Sequence, residues 1–160
     1  MTGYSYDHVF APSVRVLRDL AEQCVTALPE GIDQPLRCHE VVRAVAPFIV
    51  GACGLAVSLA ERPPTIVSAA TVTDGKYGIV DHSWISLRYA AGGGAILDVY
   101  SVGRLPMVQL VDVGPTLPHW GRHGLYRDGP NRTDVDEEAV DHLWRLLLAM
   151  RNGLPPPGAP

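Results

Sequence analysis

Residues 78–100 read GIVDHSWISLRYAAGGGAILDVY, two runs of apolar and β-branched residues joined by a glycine-rich turn. Short runs of this kind, bounded by turn residues, predict β-strands. Similar runs lie on both sides, and the predicted strands span residues 55–60, 65–73, 78–87, 95–100 and 107–113. The Asp74-Gly75 pair is expected to form one of the turns between them. Consecutive short strands with tight turns indicate an antiparallel β-meander.

Two helices are predicted before these strands and one after them. Residues 12–28 repeat apolar side chains at helical spacing, and Pro12 suits a first helical turn. A second helix is predicted from about Leu36, and Pro47 is expected to kink or end it. Its apolar stripe comprises Cys38, Val41, Val42, Val45, Phe48 and Ile49. The last helix follows residues 114–134, which are predicted to form an extended loop, and carries the stripe Val140, Leu143, Trp144, Leu147 and Leu148.

These elements predict an α+β fold, with N-terminal helices packed on an antiparallel meander and a C-terminal helix. Residues 1–153 are expected to form a single domain, and residues 154–160 a disordered tail. The chain has 160 residues, of which 47% are hydrophobic and 19% charged, with a net charge of -4. This composition is typical of an ordinary globular protein long enough to bury its own core.

The net charge and the cysteine content limit which binding partners and which cellular compartment are expected. The arginines are scattered and the net charge is -4, so no nucleic-acid partner is expected. The N-terminus does not read as a secretory signal, and the longest apolar stretch is too interrupted for a membrane span. Three cysteines without Cys-x-x-Cys spacing argue against disulfides and indicate a reducing cytoplasm. The sequence leaves the oligomeric state open.

Three residues carry the parts of a nucleophilic thiol site. Cys38 stands at the predicted start of a helix, where backbone amides stabilise a thiolate. His82 opens a strand, and Asp98 lies in the next strand, so a hairpin would place the carboxylate beside the imidazole. In such a site the imidazole activates the thiol and the acid orients the imidazole. Trp84 shares a strand face with His82 and is expected to wall the site.

These residues resemble the transglutaminase-like superfamily of papain-like thiol enzymes. The resemblance rests on a Cys at a helix start, then His-Ser-Trp-Ile opening a strand, then Ile-Leu-Asp-Val-Tyr, and it covers about residues 36–113. It implies a catalytic triad with Cys38 as nucleophile, His82 as base and Asp98 as orienting acid. Members include peptidases, amidases, deamidases and protein cross-linkers. The segment before Cys38 lacks the nucleophile motif of better-known members.

The expected activity is therefore that of a cysteine hydrolase or acyltransferase, which cleaves an amide or peptide bond through a cysteinyl thioester. Its substrate would contain an amide, whether peptide, protein or small molecule, and hydrolysis is the default outcome. The backbone amide of Cys38, with Gln34 as a second donor, would stabilise the oxyanion. No cofactor is expected. The alternative is a non-catalytic protein-binding module or assembly subunit that keeps the fold.

Several assignments remain open at the sequence level. Asp112 lies in another apolar strand and competes with Asp98 as the orienting acid. Cys38 itself could be a small core residue, as is assumed for Cys24 and Cys53. A zinc site is not expected, because the remaining histidines have no third ligand at suitable spacing. The histidines that invite that interpretation are His39, His119 and His123.

Overall fold

The computed structural model describes six stretches of the chain: residues 12–28, 37–58, 67–89, 93–99, 108–113 and 126–150. In chain order their elements are α1 (Pro12–Ala27), α2 (Cys38–Ser58), β1 (Val67–Tyr77), β2 (Val80–Tyr89), β3 (Gly94–Asp98), β4 (Gln109–Val113), β5 (Tyr126–Asp128) and α3 (Glu137–Ala149). The predicted α+β class is confirmed, with two helices before the sheet and one after it. The predicted tail at 154–160 lies outside the described residues.

The strands form an antiparallel sheet in the order β4-β3-β2-β1-β5. Strands β1 to β4 follow one another as a meander, and β5 returns to pair with β1. Strand β2 is central, so that Ile85 lies between Val72 of β1 and Leu97 of β3. Both β2, in its middle six residues, and β3 are buried on both faces. The middle of the sheet is therefore a place where a side chain on either face is shielded from water.

The β1–β2 hairpin reverses later than the sequence indicates. The predicted turn at Asp74-Gly75 is wrong, since β1 continues to Tyr77 and the chain reverses at Gly78 and Ile79. Gly78 has a φ of 59°, a left-handed conformation that costs glycine little and suits a two-residue hairpin loop. The longer strand places Asp74 opposite Ser83, within the paired part of the sheet.

The helices cover one face of the sheet through their apolar stripes. All the residues of the stripe predicted for α2 are buried, and α2 contacts α1, α3, β1 and β2. The sheet contributes Ile85, Leu87 and Leu97 to this core, and α3 contributes Leu143 and Leu147. Each fully buried side chain of this size stabilises the fold by about 2 kcal/mol before entropy is subtracted. The other face of the sheet carries a smaller cluster, which includes Trp84, Ile96 and Tyr126.

Helix α2 is longer than the sequence indicates. The predicted helix end at Pro47 and the predicted strand at 55–60 are wrong as far as Ser58, because α2 continues to that residue. Proline removes one backbone donor, but Ala46, Phe48 and Ile49 around it are buried, and their packing outweighs that loss. A short apolar run cannot be told from a buried helix by periodicity alone. Within the described stretches, no helix has both the length and the apolar character needed to span a bilayer.

The segment before α3 contains structure that the sequence does not reveal. The extended loop predicted at 114–134 includes β5, which pairs with the end of β1. The final helix follows as predicted, with the Asp136 carboxylate accepting a hydrogen bond from the Ala139 amide at 3.0 Å. The buried Glu40 of α2 accepts a hydrogen bond from the Asp136 amide at 3.0 Å. The hydrogen bond between Asp136 and Glu40 joins the start of α3 to the start of α2.

Candidate functional site

Cys38 is the first residue of α2. The Val41 amide donates to the Arg37 carbonyl oxygen at 3.2 Å, which closes the first helical turn. Amides earlier in that turn have no acceptor within the helix, so the helix start favours negative charge. The Cys38 side chain belongs to the buried set, at 8% exposure. The Cys38 side chain is therefore enclosed at the end of α2 where the backbone amides lack helical acceptors.

His82 and Asp98 form a buried hydrogen-bonded pair on adjacent strands. The imidazole Nε2 lies 2.9 Å from Oδ1 and 3.0 Å from Oδ2 of the carboxylate. Both side chains are fully buried. Because an ionised carboxylate only accepts, Nε2 carries the proton and donates it to Asp98. This bond fixes the tautomer of the neutral ring, so Nδ1 is the nitrogen that can take up or release a proton.

The surroundings of the same imidazole raise its pKa. Burial alone would lower the pKa of His82, but the hydrogen bond to Asp98 and the interaction with the Cys38 thiol outweigh burial and raise the pKa to about 9. Nδ1 nevertheless has no partner at full hydrogen-bond geometry among the described residues. The Cys38 sulfur lies 3.7 Å from Nδ1 of the neighbouring His39.

Aromatic side chains surround the His82–Asp98 pair. Tyr126 donates its hydroxyl hydrogen to Asp98 Oδ2 at 2.7 Å, so the carboxylate holds both the imidazole and a phenol. The ring centroid of the fully buried Trp84 lies 6.3 Å from that of His82 and 5.3 Å from that of Tyr126. Sequence reasoning missed Tyr126, because it lies in a region without strand periodicity. The strand pairing of β5 is what brings it to the site.

A second polar cluster lies between α2 and the sheet. His39 Nδ1 is 2.7 Å from the Ser83 hydroxyl oxygen, and Ser83 donates its hydroxyl hydrogen to Asp74. Asp74 also accepts from Arg43 Nη2 at 2.6 Å and from the Arg132 amide at 2.9 Å. Burial raises the pKa of Asp74, but the hydrogen bonds from Arg43 and Ser83 lower it below its usual value overall. Asp74 is therefore an ionised acceptor inside the fold.

Sequence reasoning missed most of this cluster. It treated Asp74 as a turn residue and His39 as a possible metal ligand. A cue was available in the order of the residues, since His39 directly follows Cys38 and Ser83 directly follows His82. Adjacent residues of a strand point to opposite faces, so Ser83 points toward α2 and away from the side chain of His82.

The remaining predicted site residues are not described in full. Gln34, His119 and His123 lie outside the described residues. The backbone of Asp112 belongs to β4 and pairs with Ala95, whereas Asp98 pairs with Gln109. The side chain of Asp112 is not among those described. Within the described part of the chain, Asp98 is the carboxylate that is hydrogen-bonded to His82.

The other two cysteines belong to the packed interior. Burial raises the pKa of Cys24 to about 12 and also raises the pKa of Cys53. Both therefore remain protonated at neutral pH. In the described stretches, no three or more His, Cys, Asp or Glu side chains group in a way that could hold a metal ion.

The raised pKa of His82 predicts how stability changes with pH. The folded value of about 9 exceeds the usual histidine value of about 6.5, so the protonated imidazole stabilises the fold. This stabilisation is complete below about pH 6.5 and is lost as the pH rises through about 9, by about 3 kcal/mol. Urea denaturation across this range should show that decline. The decline in stability should be smaller in Asp98→Asn than in the wild type. An equal decline in the two proteins would contradict its assignment to the His82–Asp98 pair.

Comparison of the chain with family models, with curated proteins and with solved structures found no match.

Proposed function

We propose that this chain is a thiol-dependent acyl-transfer enzyme with a transglutaminase-like core, in which Cys38 is the nucleophile, His82 the base and Asp98 the orienting acid. The observation that supports it most is the buried hydrogen bond from His82 Nε2 to Asp98 at 2.9 Å. That bond leaves Nδ1 as the exchangeable nitrogen of a ring that interacts with Cys38. A nucleophile, a base that activates it and an acid that orients the base are the groups that covalent acyl transfer uses.

The first half of the proposed reaction forms a thioester. The raised pKa of His82 favours the imidazolium, so the reactive form is the pair in which Nδ1 of His82 holds the thiol proton and Cys38 is a thiolate. The thiolate attacks the carbonyl carbon of an amide, and the backbone amide of Cys38 donates a hydrogen bond to the oxyanion, with Gln34 as a second donor. The carbon–nitrogen bond then breaks, and the imidazolium gives its proton to the departing amine.

The second half regenerates the thiol. His82, now neutral, takes a proton from water, and the resulting hydroxide attacks the thioester carbonyl. The carbon–sulfur bond breaks, a carboxylic acid leaves, and Cys38 regains a proton from the imidazolium. Water is the default acceptor because it needs no site of its own. An amine acceptor in its place would make the enzyme a transferase acting on the same class of amide substrate.

Acylation by an activated ester tests this proposal without knowledge of the substrate. Para-nitrophenyl acetate should release one equivalent of nitrophenolate in a burst, and mass spectrometry should place one acetyl group on Cys38 as a thioester. Cys38→Ala should abolish the burst, while Cys24→Ala, a matched change of a buried thiol, should keep it. Acetylation elsewhere, or a burst that survives Cys38→Ala, would sink the proposal in favour of a non-catalytic module.

A further inference from the structure

The residue after the proposed nucleophile and the residue after the proposed base are hydrogen-bonded to each other. His39 comes directly after Cys38 in α2, and Ser83 comes directly after His82 in β2. The distance from His39 Nδ1 to Ser83 Oγ is 2.7 Å. Both side chains are buried, with His39 6% exposed and Ser83 fully enclosed. One short bond thus joins the helix that carries Cys38 to the strand that carries His82.

Proton counting fixes the direction of each bond in this cluster. Ser83 has one hydroxyl hydrogen, and the ionised Asp74 can only accept, so that hydrogen goes to Asp74. His39 Nδ1 must then carry a hydrogen and donate it to Ser83 Oγ. Arg43 Nη1 is a second donor to Ser83 Oγ at 3.3 Å. The hydroxyl therefore uses its one donor and both acceptor positions, and it cannot rotate without losing a bond.

The protonation state of His39 agrees with this arrangement. Burial lowers the pKa of His39, and the positive charge of Arg132 lowers it further. The ring is thus neutral at physiological pH and carries its single proton on Nδ1. The same nitrogen lies 3.7 Å from the Cys38 sulfur. The Cys38 sulfur therefore lies beside the nitrogen that donates to Ser83.

We propose that the hydrogen-bonded chain Asp74–Ser83–His39 is a positioning device for the reactive pair, which holds the start of α2 against β2 so that Cys38 stays beside the His82 imidazole. His39 and Ser83 are positioning residues that act through Cys38 and His82. This inference rests on the proposed function for its catalytic consequence. Its geometric part, the attachment of the start of α2 to β2, stands apart from catalysis.

The hydrogen-bonded chain Asp74–Ser83–His39 is attached to α2 at both of its ends, as a positioning device requires. Asp74 is bonded to Arg43 of α2 as well as to Ser83, so the helix is attached to the sheet at two points one turn apart. Arg43 Nη1 also donates to the His39 carbonyl oxygen at 3.0 Å. Displacing a reactive group by about 1 Å can lower a rate by roughly 10²-fold. Loss of the Ser83 bond is therefore expected to matter more for reactivity than for folding.

Ser83→Ala tests the inference through two readouts. The first is the rate of Cys38 acetylation by para-nitrophenyl acetate, expected to fall by roughly 10- to 100-fold. The second is the pH titration of the His82 imidazole, followed by NMR. The His82 pKa in Ser83→Ala should fall toward that of Cys38→Ser, because the thiol no longer lies beside the ring. A purely structural role would lower the melting temperature without moving that titration.

His39 offers a second pair of variants should Ser83→Ala fail to fold. His39→Asn keeps a hydrogen-bond donor near the position of Nδ1, whereas His39→Leu keeps only the volume. The rate of Cys38 acetylation in His39→Asn should stay within roughly fivefold of the wild-type rate. In His39→Leu the rate should fall as far as it does in Ser83→Ala. Equal behaviour of the two variants, or a His82 titration unchanged in both, would overturn the inference. If the wild type is not acetylated, the proposed function fails, and the titration alone decides the positioning role.

Discussion

Asp98→Asn is expected to lower the rate of Cys38 acetylation by roughly 10³-fold or more, with the fold retained. Asparagine has the size of aspartate and can still accept from Tyr126, but it carries no charge and can also donate to His82 Nε2. The neutral ring can then place its proton on Nδ1, where it faces Cys38 and cannot take up the thiol proton. The measurement is the nitrophenolate burst rate, with circular dichroism to confirm folding.

Asp112→Asn is the matched control, because sequence reasoning alone could not choose between the two carboxylates. In the observed register Asp112 pairs with Ala95, and Asp98 is the residue bonded to His82. Asp112→Asn should therefore acetylate at close to the wild-type rate. A large loss in Asp112→Asn, with Asp98→Asn unaffected, would assign the orienting role to Asp112 and overturn the present assignment.

Asp74→Ala is expected to have the largest effect on stability, about 3 kcal/mol less favourable folding. The change removes the carboxylate that accepts from Arg43, Ser83 and the Arg132 amide. It leaves the Arg43 guanidinium, which is 19% exposed, without its buried counter-charge. An uncompensated charge inside the fold costs more than the ion pair contributed. Chemical denaturation measures the difference directly.

Asp81→Ala provides the comparison for that stability change. Asp81 lies in the same hairpin and pairs with Lys76 and Arg132, but its side chain is 54% exposed. Exposed ion pairs contribute little, because water screens both charges. The free energy of unfolding of Asp81→Ala should therefore stay close to that of the wild type. If Asp74→Ala destabilises the chain no more than Asp81→Ala does, the Asp74 cluster does not hold α2 to the sheet.

The elements that sequence reasoning predicts well are those with a strong period. The stripe beginning at Cys38 repeats with helical spacing, so both the helix and its buried face follow from it. His82 and Asp98 were placed on neighbouring strands because a glycine-rich turn separates two apolar runs. The antiparallel pairing of β2 with β3 is observed. The hydrogen bond between His82 and Asp98 follows once both are buried, since a buried carboxylate requires a donor.

The features that were missed depend on packing between distant segments. Asp74-Gly75 is an ordinary turn signal, and nothing local shows that Arg43 and Ser83 will surround the carboxylate. Pro47 is an ordinary helix breaker, and only the buried neighbours on α2 explain why the helix continues. Tyr126 lies in a three-residue strand, too short to produce a periodic pattern. For Asp74 and Tyr126 the deciding interaction joins residues far apart in the sequence.

The most direct test of an activated Cys38–His82 pair is the alkylation rate of Cys38 by iodoacetamide, with the modified residue identified by mass spectrometry. At about pH 6, an ordinary thiol is almost entirely protonated, whereas a thiol paired with an imidazolium reacts as the thiolate. Cys38 is expected to react at least roughly tenfold faster than a free cysteine peptide, and His82→Ala should remove that advantage. A rate no faster than that of the peptide, unchanged by His82→Ala, would contradict the proposed pair.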